Sequence, residues 1–288
     1  MLGSKFKAAN SRDTCYTLTR HRLQFREKMI WIIDIVAHLS DFAILATGGI
    51  STAGVAVVLG WVSARVLEKL GHGNPRSTIA DVVHGSLLAF IVFVLAHVLT
   101  DVRANERRAA DDVLREASFV TRLDRQLRSI GGADADTARE ALRRYVMKVA
   151  EDDWPGLAAA EPDLSPRASE ALDYLVEVSQ RAAAHSPAYA EDLQVLLREI
   201  EESRQRRLEN ATRTVPRVFW WVIWVFLLGA MVMNGRFPIN RATLSVIALH
   251  MAAIGMVVAL IVILDEPYRG QSAISPLPLE KAIQVRMN

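Results

Sequence analysis

Cysteine is almost missing: Cys15 stands alone in 288 residues, so there is no internal disulfide framework and no demand for an oxidising compartment. Missing too are a phosphate loop, a Gly-rich dinucleotide turn, an HExxH helix and a CxxC pair. The chain thus offers no signature of an ordinary enzyme, and no cofactor is expected. The acidic pairs Asp111-Asp112 and Asp152-Asp153 do not replace one. Adjacent carboxylates on a helix point in different directions and are expected to be solvated, so no metal site is expected either. A net charge of +2 carries no nucleic-acid signature. There is no β-hairpin signal and no internal repeat. The first 28 residues hold seven Lys/Arg but no apolar core, and the apolar run after them has no small-residue cleavage site, so no cleaved signal peptide is expected.

What the chain does have is long apolar runs. Residues 78 to 99 and 243 to 264 are 22 residues each with few ionisable groups, the length a helix needs to cross roughly 30 Å of hydrocarbon. Residues 217 to 234 are dense in Trp, Phe, Val and Met, and residues 42 to 66 carry one charge, Arg65. Unpaired backbone is not tolerated in lipid, so each run predicts a helix. The fold class expected is an all-α membrane protein with four transmembrane helices and a helical cytoplasmic domain. Residues 29 to 47 contain Asp34, His38 and Asp41 and predict an interfacial amphipathic helix, with Gly48 and Gly49 as a bend and a fifth or re-entrant span as the alternative.

Lys and Arg beside the spans set the expected orientation. The N-terminal arm, the middle of the chain and the C-terminal tail are placed together, with Arg103, Arg107 and Arg108 at one end of the middle domain and Arg206, Arg207, Arg213 and Arg217 at the other. The two loops on the far side hold only Lys69 and Arg76, and Arg236 and Arg241. This predicts a multi-pass protein of the cell's inner (plasma) membrane with cytoplasmic termini. The divisions are a basic arm and interfacial helix at 1–41, two spans at 42–100, a cytoplasmic helical domain at 101–212, two spans at 213–264 and a cytoplasmic tail at 265–288. Asn210-Ala-Thr212 fits a glycosylation pattern, which this placement makes a chance match.

The helical period continues past Thr100 with no Gly or Pro until Gly131, which predicts one helix of about 50 residues running out of the membrane. Asp136 is the expected N-cap of the next helix, which Pro155 and Gly156 should end. Ser165-Pro166 and Ser186-Pro187 each open another. The last has Arg198, Glu202 and Arg206 at i,i+4 spacing and is expected to run through Pro216 into the third span. Trp154 reads as a core or helix-end aromatic.

Ionisable residues inside spans cost several kcal/mol unless they face protein or water. On the second span Asp81, His84 and Leu88 share a face, with Leu87, Phe90, Val94 and His97 roughly opposite, and His250 lies on the fourth. Asp81, His84 and His97 are pore-mouth or proton-relay candidates, against a reading as solvated or helix-bonding side chains.

Several short motifs then follow in a telling order. The span ending SLLAFIVFVLAHVL runs into a charged helix with Glu116-Ala117-Ser118, then comes ALRRYV, then EDDWP at 151 to 155, and after the last span LDEPYRG at 264 to 270 with ISP at 274 to 276. In this the chain resembles the bestrophin-like membrane family over about residues 70 to 280. The resemblance implies kinship with bestrophins, pentameric anion channels with four membrane helices, cytoplasmic termini and a pore lined by the second span. By this analogy Leu87, Phe90 and Val94 form an apolar neck, and Asp265, Pro267 and Arg269 match the family's C-terminal motif. Asp265 is expected to accept from a basic group or a free backbone N–H at the subunit's cytoplasmic collar and so to support assembly, and in a channel Arg103, Arg107 and Arg108, just below the pore helix, are expected to raise the local anion concentration. Two departures stand out. Gln271 and Ser272 stand where bestrophins carry acids for calcium, and DVRANERR replaces a Trp- and Arg-rich segment after the neck.

Three functions follow as expectations. The first is a homo-oligomeric channel, a pentamer by analogy, that sits in the lipid bilayer and passes small ions. The second is a membrane-anchored interaction scaffold, and the third a proton-coupled energiser of the stator kind.

Overall fold

In the computed structural model, residues 40–69, 78–237 and 240–284 are described. The basic arm, residues 29–39 of the expected interfacial helix and most of the first far-side loop lie outside the described residues. Among those described there are helices and no strand.

Helix α1 (Asp41–Lys69) starts where Ser40 Oγ accepts from Ala43 N at 3.2 Å, with Asp41 in its first turn. Gly48 and Gly49 do not bend it. They let it lie against α8 (Arg241–Leu264) at close range, since a Cβ on Gly48 would fall 2.6 Å from Ala259 Cβ and one on Gly255 2.4 Å from Thr52 Oγ1. Small residues at a helix crossing are how membrane helices gain packing, because lipid gives them no hydrophobic drive to associate.

Helix α2 (Thr78–Ile130) is 53 residues long, about 80 Å at 1.5 Å per residue. Nothing between Gly85 and Gly131 interrupts it, as the pattern predicts. Its membrane half buries Ile91, Leu95 and Val98 against α7 (Arg217–Met233) and α8, in one apolar cluster with Ile223, Leu227 and Met251. Its polar half buries Val113, Val120, Leu123 and Leu127 in a second cluster.

That second cluster is a helical bundle. Gly131 (φ +68) and Gly132 (φ +84) turn the chain, and α3 (Gly132–Lys148) begins at once, one turn before Asp136. With a glycine pair making the reversal, no side-chain cap is needed, and Asp136 stays exposed inside the helix. Nor does Pro155 end the segment. A π turn over Val149–Asp153 bonds Trp154 N–H to Val149 O, five residues back, and a short α4 (Trp154–Leu157) follows. The wider turn accommodates a proline with no N–H to give.

Both Ser-Pro pairs open helices as predicted, α5 (Pro166–Ala184) and α6 (Pro187–Thr212), and Ser165 Oγ caps the first by accepting from Arg167 N at 3.2 Å. Between α6 and the third span, however, residues 213–216 are not helical. Val215 precedes Pro216, whose ring pushes the residue before it out of the helical region. After α8 the chain turns back along the bundle into α9 (Leu277–Gln284), where Leu279 is buried in the bundle core.

Candidate functional site

The residues that carry the sequence motifs meet in the bundle core, beneath the membrane half of α2. The π turn rotates Asp153 inward, where it is wholly buried rather than solvated like an ordinary acidic pair. There it accepts a forked pair of bonds from Arg204, Nε at 2.8 Å and Nη2 at 3.0 Å, a third from Arg207 Nη2 at 3.3 Å, and a fourth from Ser165 N at 2.8 Å. Arg207 also pairs with Glu116 of α2, and Tyr145 of α3 donates to the other Glu116 oxygen at 3.3 Å. Glu116 and Arg207 are fully buried. Two acids and two arginines leave the cluster neutral. Burial pushes the Glu116 carboxyl up against the pull of Arg207. Burial also works against the charge on Arg207, but Glu116, Tyr145 and Asp153 together outweigh it and hold the guanidinium protonated.

An aromatic layer joins this cluster to the end of the fourth span. The Arg207 guanidinium lies 5.2 Å from the Trp154 ring centre, Trp154 meets Tyr268 edge-on at 5.9 Å, and Trp154 Nε1 donates to Ile274 O at 2.7 Å. Trp154 is thus the core aromatic expected, with its N–H satisfied. Glu116, Tyr145, Asp153, Trp154 and Tyr268 all sit inside the quoted motifs. Arg204 and Arg207 do not. Their signal was positional, because they continue the buried period Leu193, Leu197, Ile200 of α6, where a charge needs a buried partner. By its place beside the third span Arg207 reads as a membrane-edge charge, but its pairs with Glu116 and Asp153 hold it in the core.

The C-terminal motif closes the corner between bundle and membrane. Asp265 ends α8 and accepts from Val215 N at 2.9 Å and 3.3 Å, satisfying the broken backbone before Pro216. Burial, opposed by that N–H and aided by Glu266 and Asp101, pushes its carboxyl up to about 6. Pro267 is buried, its carbonyl accepting from Ile274 N at 2.9 Å, and Arg269 lies 3.6 Å from Glu266. Gly270 (φ +86) turns the chain so that Ser272 reaches Asp41 at the start of α1.

In the membrane half of α2 the neck candidates part company. Leu87 and Val94 are half-buried against neighbouring helices, while Phe90 is 56% exposed and stacks on Phe226 at 5.9 Å. The most exposed large side chain in the middle of that span is Phe93, at 72%. Around it Ser86, Ala89, Ala96, His97 and Thr100 are also uncovered. Asp81 is exposed, and His84 is half-buried, edge-on to Phe237 at 5.7 Å. His97 lies 6.2 Å from Phe219. Arg103, Arg107 and Arg108 are exposed just beyond. Among the described residues no cluster of three or more His, Cys, Asp or Glu could hold a metal.

Four helices long and apolar enough to cross a bilayer, joined to a polar helical bundle, define a multi-pass membrane protein. A family model described as the bestrophin-like domain matches residues 50–279. The chain belongs to the bestrophin-like domain family. No curated protein and no solved structure matches it.

Proposed function

We propose that the chain is the subunit of an oligomeric ion channel, anion-conducting, whose pore is lined by the membrane half of α2. The observation that carries this is the uncovered face of that helix. A helix side turned to lipid is mostly apolar, and on α8 Val246, Leu249, Met256 and Val262 are exposed together with Ser245, His250 and Ala253. The α2 face around Phe93 mixes Ser86, Ala89, Ala96, His97 and Thr100 with Val82 and Phe90, and these small and polar groups suit water or a neighbouring copy. In this reading Phe90 and Phe93 form the apolar constriction, gating by wetting and dewetting, and Leu87 and Val94 pack behind them. Arg103, Arg107 and Arg108 raise the anion concentration at its cytoplasmic mouth. The membrane is the cell's own, with the bundle and both termini inside.

Purified protein in planar bilayers tests this. Phe93→Ala with Phe90→Ala should raise the conductance or make it leaky, because a wider, less apolar neck wets more easily. Leu87→Ala with Val94→Ala should cost stability without adding current. Wild-type protein that passes no current under any ionic gradient sinks the channel reading. The scaffold alternative keeps one observation in its favour, a cavity of about 320 Å³ between α5 and α6 lined by Ala183, Ala190, Leu193 and Leu197.

A further inference from the structure

A cavity of about 380 Å³ opens at the corner between bundle and membrane, and neither the buried charge cluster nor the pore reading uses it. Its size falls within the roughly 300–1,000 Å³ of ordinary ligand pockets. Three segments wall it: the loop after α4, the end of α6 with the break that follows, and the turn after α8. Each is pinned. Asp163 N donates to Gly156 O at 3.3 Å, and a Cβ at Gly156 would fall 2.6 Å from Asp163 O, so the loop between them closes on itself. Asp265 holds Val215 N in the break, and Arg269 N donates to Glu266 O at 3.1 Å in the turn. The cavity is built into the backbone, and a ligand need not order it.

Its walls offer charges of both signs beside apolar surface. Leu157, Ala159, Pro162, Ala211 and Pro267 supply the apolar area, and Glu161, Glu266 and Arg269 line the same space. A guanidinium carries five N–H donors, and the 3.6 Å contact of Arg269 with Glu266 does not exhaust them. Tyr268 also lines the cavity; it is 4% exposed, and its hydroxyl is buried with no hydrogen-bond partner. Burial keeps that phenol protonated, so it donates. A buried donor without an acceptor is costly, which a ligand oxygen would answer. Acceptors for a cation and donors for an anion therefore stand within one small space beside aliphatic carbon. A molecule with only one of these charges leaves the opposite sign unmatched.

We propose that this cavity binds a small zwitterion with an aliphatic side chain, the chemistry of a free branched-chain amino acid. Its carboxylate goes to Arg269 and Tyr268, its ammonium to Glu161 and Glu266, and its side chain to the alanine and proline wall. A molecule seated there touches all three segments at once. It braces the corner where the third span, the fourth span and the bundle meet, and this binding goes beyond the channel reading.

Titration calorimetry on the full-length protein in detergent decides it, with L-leucine as the probe. Leucine should bind saturably, while 4-methylpentanoate, which lacks the ammonium, and 3-methylbutylamine, which lacks the carboxylate, should each bind at least about tenfold more weakly. Glu266→Gln and Arg269→Gln should each weaken leucine by about tenfold or more, since each removes one charged partner. Should Arg269→Gln fail to fold, Ala160→Phe is the second arm. Ala160 is exposed where it lines the cavity, so the phenyl group fills the space, melting is unchanged and leucine binding is lost. No binding of leucine overturns the proposal. So does a singly charged analogue that binds as well as leucine, or an Ala160→Phe protein that binds it like the wild type. Glycerophosphoethanolamine is titrated beside them, because it carries an ammonium and an anion without the aliphatic side chain; if it binds more tightly than leucine, the cavity takes a lipid headgroup and the proposal falls. Binding is read without current, so a protein that takes leucine and never conducts sinks the channel reading alone.

Discussion

Replacing Arg207 by Met takes one of the two cations out of the buried cluster. It removes the partner of Glu116 and one donor to Asp153, and lifts a cation from the Trp154 face, leaving Arg204 alone to balance two buried carboxylates. Breaking one side of a buried pair costs about 3–5 kcal/mol, because the orphaned charge is held away from water. Over a domain of this size that is a fall in Tm of roughly 6–20 °C. The informative comparison is the double variant Arg207→Met with Glu116→Leu. It removes one charge of each sign and leaves the forked Asp153–Arg204 pair intact, so the site is neutral again. What remains lost is chiefly the acceptor for Tyr145, about 1–3 kcal/mol. The double variant should thus be more stable than the single. Thermal unfolding in detergent, followed by circular dichroism, measures both. If the double variant melts at or below the temperature of the single one, charge balance is not what holds this core together.

Two further outcomes follow from the corner and the membrane crossing. The Asp265 carboxyl sits at about 6 in place of 3.8, so as pH rises between these values the unfolded chain gives up a proton that the folded chain keeps, and stability falls with rising pH. Asp265→Asn keeps an acceptor for Val215 N without the charge, and should gain about 1–2 kcal/mol at pH 7.5 after allowance for partial exposure, with no gain at pH 3.5; Asp265→Ala, which orphans that N–H, should lose stability instead, and melting curves at the two pH values check both. Gly255→Ala drives a Cβ to within 2.4 Å of Thr52 Oγ1 and should cost about 1–3 kcal/mol in the same melts, whereas Gly54→Ala, with open space around it, should be neutral or stabilising.

Long-period features were legible in the sequence. Four apolar runs gave four membrane-length helices, and the absence of Gly and Pro gave the full length of α2, because both depend on local chemistry summed over many residues. The Ser-Pro pairs gave two helix starts for the same reason. What the pattern missed depends on which partner a residue meets. Gly48 and Gly49 read as a bend, since nothing in the sequence shows that Gly255 and Ala259 lie against them. Asp153 read as half of a solvated pair, since only the π turn points it at Arg204. The break at 213–216 was overlooked in favour of the helical period on either side, although Pro216 was its visible cause. The exposure of Phe93 rather than Leu87 or Val94 is a matter of helix rotation, which the other three spans fix and which an all-round apolar helix does not reveal.

The unbroken length of α2 has a mechanical consequence for the channel proposed above. Glu116 and Phe93 lie 23 residues apart on one helix, roughly 35 Å, and the only glycine in that helix is Gly85, beyond Phe93 on the far side. Sharp bends need Pro, Gly or a bulge, and none stands between the buried cluster and the constriction. The two therefore move together. A tilt of about 5° pivoting at Glu116 carries Phe93 sideways by about 3 Å, enough to change a constriction lined by phenyl rings. If α2 lines the proposed pore, the charged cluster that fixes the foot of this helix would set the width at Phe93, and loosening it should disturb conduction before it unfolds the domain. Glu116→Gln, which weakens the hold of Arg207 without emptying the core, is the variant in which altered gating and an unchanged fold should appear together. A Glu116→Gln protein with wild-type open probability would mean that the foot of the helix does not control its head.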